Sequence, residues 1–327
     1  MQSVNPMPSV NDARPKSSRW RRHLGELLIV AGGLAAINFI FVFKAFRQTY
    51  VVDPAGAAQL GSFVGGYVGS MFSLVAVFLL YSTLKNQRLT SEMEHFETKY
   101  FELIKMHRDN VAEIELQGES GRKVFVLLIR ELRCALEIVQ QIAEIKRYPQ
   151  TLNQQQALQI AFHCLFFGTG PNSSRMLKRS LSTLDATFID AVDRELSNTE
   201  TKESVKKQRS FRHTPFEGHQ SGLGHYYRHL YQMVRYVDQQ TLMDDDEKYE
   251  HVKTIRVQLS THEQALLLVN SLAPMGREWR RKGFILKYRM VQNITREFFD
   301  SSTELDTNSL FDRGYFEWEE FGGDEAA

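Results

Sequence analysis

Cysteine is nearly absent from this chain, with two in 327 residues. Cys134 and Cys164 both sit in apolar, helix-patterned stretches. That suits free buried thiols in a reducing compartment and excludes a disulfide scaffold. No C-x-x-C occurs, so a zinc ribbon has no support, and G-x-x-x-x-G-K-[ST], a post-strand G-x-G-x-x-G and G-x-S-x-G are missing too. Neither sign of charge prevails: 40 basic against 39 acidic residues leave a net charge of +1, so bulk electrostatics point to no polyanionic partner. Proline is scarce, at eight residues, and neither Pro nor Gly interrupts the chain between Leu84 and Gly118. Alternating strand patterns, internal repeats and low-complexity tracts are also missing.

What the chain has instead is two long uncharged runs near its start. Leu27–Phe43 and Leu60–Leu84 hold 17 and 25 residues, against the ~20 that a helix needs to cross a bilayer. Arg14, Lys16, Arg19, Arg21 and Arg22 precede the first run, and Lys85, Arg88, Lys99 and Lys105 follow the second. The intervening loop offers only Lys44 and Arg47, close enough to a helix end to snorkel. Both termini are therefore expected on the cytoplasmic side. No small-residue cleavage site follows Phe43, so the first run reads as a span rather than a signal peptide.

Gly61, Gly65, Gly69 and Ser73 recur every four residues along the second run, an arrangement that lets two helix backbones approach closely in lipid. The partner is either the first run, through Gly32 and Ala36, or a second copy of the chain.

Beyond Leu84 the helical pattern continues. Met93, Phe96, Tyr100, Leu103, His107 and Ile114 fall three, four or seven residues apart, giving an amphipathic stretch that is either a stalk or a face packed on a globular domain. Arg122–Arg147 places Val124, Phe125, Leu128, Ile129, Leu132, Leu136, Val139 and Ile142 on one face. Gln154–Phe167 and Arg175–Leu196 read likewise. Gly168–Ser174 is a loop by its turn chemistry, and polar Ser197–Gly222 reads as a solvated connector. The expected organisation is all-α: a basic segment over 1–26, a transmembrane hairpin over 27–84 with spans near 27–46 and 60–84, a helical stalk over 85–117, a helical cytoplasmic domain over 118–300 and an acidic tail over 301–327.

The least ordinary residues begin at Gly222. The run GHYYRHLYQMVRYVD, then KYEHVKTIRVQLSTHEQALLLVNSL, then Gly283 with LKYRMVQN, resembles the phage abortive infection proteins of the AbiC-like family. Phe96–Leu103 (FETKYFEL) with His107, and Gly121–Phe125 (GRKVF), extend the resemblance to roughly residues 85–295. It implies bacterial antiphage defence, in which an infected cell stops growing or dies before phage matures; together with the two spans, the expected location is the bacterial inner membrane. It supplies no catalytic residues. The expected partners are the lipid bilayer, a phage component or companion defence protein, and a second copy of the chain through the second span or stalk. Nucleic acid is left open.

Within the matching blocks several residues are candidates for recognition or chemistry. His225, Tyr227, Arg228, Tyr231, Arg256, Gln258 and Glu263 form the recognition set. His225 and His229 share a helix face at metal-ligand spacing, but no third ligand sits at a fixed local offset, and His213 and His219 lie in the polar connector. No metal or cofactor is expected. The structural reading buries Tyr227, Leu230, Tyr231 and Val234 and pairs Arg228 with a carboxylate.

Arg256 and His262 are spaced as in helical RNases of the HEPN class, with His262 as general acid or base and Arg256 stabilising phosphate charge. Val257 departs from that class, where a polar residue is usual. Ser260 with Glu263 reads as a capping box in the same place. The basic, aromatic-containing Arg277–Arg289 suits RNA, an anionic membrane surface or a solvated helix face. Three readings stay open: a membrane-acting sensor or effector, a tethered RNase, and a non-catalytic anchor for another defence protein.

Overall fold

A computed structural model describes residues 54–116, 118–145, 152–299, 305–312 and 314–317, together with Ile29, Gly32, Gly33, Ala35, Ala36 and Phe39. Two compact units divide the chain, residues 1–91 and 92–327.

In the first unit, helix α1 (Pro54–Phe63) passes through a π turn (Val64–Val68) into α2 (Gly69–Glu113). The π turn closes where the Gly69 N–H reaches the Val64 carbonyl, inside the glycine run. Among the described residues this is the one helix long and apolar enough to cross a membrane, and its most apolar window is wholly unburied. Phe63, Tyr67, Leu74, Phe78, Leu80 and Tyr81 are all exposed. A Cβ added at Gly61 or Gly65 would meet nothing within 4 Å, whereas one at Gly33 would come 3.3 Å from the Phe72 ring. The six described residues of the first expected span are helical, and the rest of that span lies outside the described residues.

The second unit is built almost wholly of helices. From residue 92 onward α2 buries Phe96, Tyr100, His107 and Val111, with Met93, Leu103 and Ile114 packed alongside, so its apolar face lies on the core. Tyr100 donates to the His251 carbonyl at 2.7 Å. Burial of the two rings contributes roughly 2 kcal/mol each. A two-residue hairpin, Glu115–Leu116 against Glu119–Ser120, turns the chain through Gly118 at φ 90° into α3 (Arg122–Ile145). The expected apolar face of α3 is buried throughout, and it packs extensively on α4 (Gln154–Phe167), which Asn153 and Gln156 open as a capping box.

Two stretches differ from expectation. Arg175–Leu196 is two helices, α5 (Ser174–Ser180) and α6 (Ala186–Ser197), because Asp185 caps the second by accepting from the Phe188 N–H. Ser197–Gly222 is no solvated connector. It contains α7 (Thr199–Gln208), opened by Asn198, and then a segment that buries Phe211, His213 and Phe216.

That segment is hydrogen-bonded to the end of α4. The His219 N–H reaches the Leu165 and Phe166 carbonyls at 3.1 and 3.0 Å, and the Thr169 N–H reaches the Phe216 carbonyl at 2.9 Å. The two strands of chain meet at Gly168 and Gly218, whose φ angles are 81° and 93°. A Cβ at Gly218 would stand 2.6 Å from the Phe167 backbone, and one at Gly168 would stand 2.4 Å from the Glu217 carbonyl oxygen.

The remaining helices are α8 (Gln220–Asp238), α9 (Asp245–Val257), α10 (Thr261–Leu272), α11 (Arg277–Arg281) and α12 (Phe284–Lys287). Asp244 with Glu247 and Ser260 with Glu263 are both complete capping boxes. In the C-terminal segment Leu305, Phe311, Tyr315 and Phe316 are buried, and the Tyr315 hydroxyl donates to the Ile285 carbonyl at 2.9 Å. Trp318 and Phe321 lie outside the described residues.

Candidate functional site

Helix α8 carries most of the candidate residues and separates two clefts. Its inward stripe is Leu223, Tyr226, Tyr227, Leu230, Met233, Val234 and Val237. The first cleft, of about 310 Å³, brings Tyr227, Arg228 and Tyr231 together with Asn270, Met275 and Trp279. Tyr231 meets Trp279 edge-on at 5.4 Å, and the Tyr227 hydroxyl donates to the Leu266 carbonyl. Tyr231 is only partly buried. Arg228 is exposed, and no ion pair joins it to a carboxylate among the described residues, which corrects the expected pairing.

The second cleft, of about 530 Å³, lies between Asn110, Glu113, Val124, His219, His225 and Tyr226. His225 is exposed on its wall, whereas His229 turns away and stacks on His107, with ring centroids 5.9 Å apart and planes 10° from parallel. The pair four residues apart therefore does not converge on one ion. His107 is buried between His229 and Tyr226, and neither nitrogen of either histidine ring has a hydrogen-bond partner among the described residues.

Burial, then the neighbouring His229 and Arg122, push His107 down from 6.5 to about 4. The neutral ring favours the folded state, so this stability is complete above pH 6.5 and is lost as pH falls towards 4. Acidification from pH 7 to pH 5 should cost about 2 kcal/mol through His107. Thermal unfolding of the full chain in detergent should show that loss in the wild type and a flatter profile in His107→Leu. Equal slopes for the two proteins would remove His107 as the cause.

Beside the second cleft is a cluster that sequence reasoning passed over. Glu131 of α3 is fully buried. His213 Nε2 lies 2.7 Å from its Oε2, His219 Nε2 lies 3.1 and 3.3 Å from its two oxygens, and the Phe216 N–H donates to Oε1 at 2.7 Å. Burial alone would raise the carboxyl, but the hydrogen bonds from His213 and His219 outweigh it and hold Glu131 at about 2. An ionised carboxylate only accepts, so each imidazole presents an N–H to it. The legible signal was an acid inside an apolar helix stripe, at Leu128, Glu131, Leu132 and Ala135.

Aiming these groups at Glu131 takes an unusual backbone. Ser210 and Phe216 hold φ angles of 55° and 63°, a region non-glycine residues seldom occupy. Arg209 ties the start of the segment to Glu137 of α3 at 2.6 Å, and Lys202 pairs with Glu217 at 2.6 Å.

Arg256 and His262 turn towards different neighbours. Buried Arg256 donates from Nη1 to the carbonyls of Tyr288 and Arg289, at 3.3 and 3.2 Å, where Arg289 is left-handed at φ 47°. His262 lies edge-on to Phe298 at 5.3 Å, lowered in pKa first by burial and then by Arg133. Glu263 completes its cap on the Ser260 N–H at 2.8 Å, accepts from Tyr226 at 3.2 Å and lies 3.8 Å from Arg122 Nε. The Gln258 carbonyl accepts from Arg122 at 2.7 Å. Gln258 and Glu263 thus join α3 to the α9–α10 junction. In Arg277–Arg289 the aromatic rings Trp279, Phe284 and Tyr288 turn into the core, while Arg281 pairs with Glu278 and Lys287 with Asp238.

No curated protein and no solved structure matches the chain. One family model does, and it covers the stretch from Gly218 through α8 to α12, the part that builds most of the first cleft, the α8 wall of the second and the capping boxes of α9 and α10. Residues 218–299, about a quarter of the chain, are similar to the family described as "putative phage abortive infection protein".

Proposed function

We propose that the chain is a membrane-anchored antiphage protein of bacteria that acts by abortive infection. Its helical second unit faces the cytoplasm, recognises a phage component or a companion defence protein, and acts through a two-span hairpin in the inner membrane. The family match over residues 218–299 carries the defence reading. Support for the anchor comes from the apolar, unburied helix that begins at Pro54 and from the basic residues flanking the two uncharged runs. Support for recognition comes from the cleft that joins exposed Arg228 to Tyr231 and Trp279.

Arg256 directs Nη1 to two carbonyls and His262 lies against Phe298, so the surroundings of the pair lend the tethered RNase no support. The test is infection of cells carrying the gene, following membrane potential and total RNA integrity together. The expected result is depolarisation with intact RNA. His262→Ala should keep protection, and Gly65→Leu with Gly69→Leu should lose it while the protein still accumulates. RNA cleavage, with protection abolished by His262→Ala, would replace this reading with the RNase.

A further inference from the structure

We propose that Glu131, His213 and His219 form a binding site for a divalent transition metal of the zinc class. Two imidazoles and a carboxylate are a donor set that suits zinc, nickel or copper and is poorly matched to magnesium or calcium, which prefer oxygen throughout. The three donor atoms lie within 4.8 Å of one another. Bonds of about 2.1 Å to a tetrahedral ion place donor atoms about 3.4 Å apart. The Glu131–His219 separations of 3.1 and 3.3 Å are already close to that, and the 2.7 Å Glu131–His213 separation has to open by roughly 0.7 Å.

The site is built before any ion arrives. Glu131 and His213 are 0% and 2% exposed, so the donors are held by packing rather than gathered by the ion. Glu131 comes from a long helix and both histidines from the segment whose left-handed Ser210 and Phe216 direct it inwards. On binding, each histidine gives its Nε2 lone pair to the ion: a neutral ring moves its proton from Nε2 to Nδ1, and a protonated ring keeps Nδ1–H and releases its Nε2 proton to solvent. Three protein ligands leave a coordination position for water or another donor. His219 also lines the 530 Å³ cleft, which gives an ion its route in.

The experiment uses the full chain in detergent, stripped with chelator and titrated with cobalt chloride or zinc chloride alone. One saturable Co²⁺ per chain is expected, with the visible absorption of a tetrahedral N/O site. Zn²⁺ should displace it and raise the unfolding midpoint. His219→Ala, at the rim of the cluster, should weaken Co²⁺ binding on the order of 100-fold while the helical circular dichroism is kept, and His213→Ala should do the same. A folded wild-type chain with no saturable Co²⁺ band and no Zn²⁺-dependent midpoint would overturn the proposal, leaving the cluster a set of hydrogen bonds only. Binding undiminished in both histidine variants would overturn it as well, by placing the ion elsewhere.

Discussion

Replacing Glu131 with Ala should lower the stability of the full chain by about 3–5 kcal/mol, the range for removing one partner of a buried charged network. The mutation strips acceptors from His213, His219 and the Phe216 N–H at once, all buried or nearly so. For a unit of this size the unfolding midpoint should fall by roughly 10 °C. Measured in chelator, so that no ion enters the comparison, Glu131→Ala should lose far more than Arg209→Ala. Arg209 sits in a half-exposed pair, where contributions of about 0.2–1 kcal/mol are usual. A midpoint change of a degree or two for Glu131→Ala would mean that the 209–219 segment is held by its apolar side chains and not by the carboxylate.

Gly218→Ala should be as damaging for a different reason. A left-handed backbone costs a non-glycine residue about 1–2 kcal/mol, and the new methyl would overlap the Phe167 backbone, which no rotamer change can relieve. Together about 3–5 kcal/mol is expected, enough to reduce accumulation of the protein in cells. Gly283→Ala is the control. Its φ of 70° carries the same conformational cost, but nothing lies within 4 Å of the added methyl, so only that cost of about 1–2 kcal/mol is expected. Equal midpoints for the two variants would show that the close approach of Gly218 to Gly168 is not what makes the position special.

The helices were legible wherever burial and local chemistry agree. The apolar face of α3, the inward face of α2 beyond residue 92 and the Ser260–Glu263 cap all follow from spacings of three and four and from one short motif, whereas α4 is helical as expected but buries every residue from Ile160 to Phe166 and so has no single apolar face. The break between α5 and α6 was missed because the apolar pattern runs through it, although Asp185 three residues before Phe188 is a local cap signal. The acid at Glu131 stood out in its apolar stripe, but its partners did not, for a deeper reason. They lie 82 and 88 residues from it, and the histidines sit in a stretch whose polar composition is that of an exposed tether. Composition reports what a segment costs to bury. It does not report whether a partner waits inside.

The stretch from Arg209 to His219 therefore has a length that is set as firmly as that of a helix. One end is held by Arg209 at Glu137, the middle by three donors on one carboxylate, and the far end by the His219 N–H on the last carbonyls of α4. Inserting a single residue between His213 and Phe216 moves one set of attachments out of reach of the others. Surface loops usually absorb insertions and deletions freely. This one is a part with fixed dimensions, and among chains that share this fold the number of residues between the acid-facing histidines should vary less than the residues themselves.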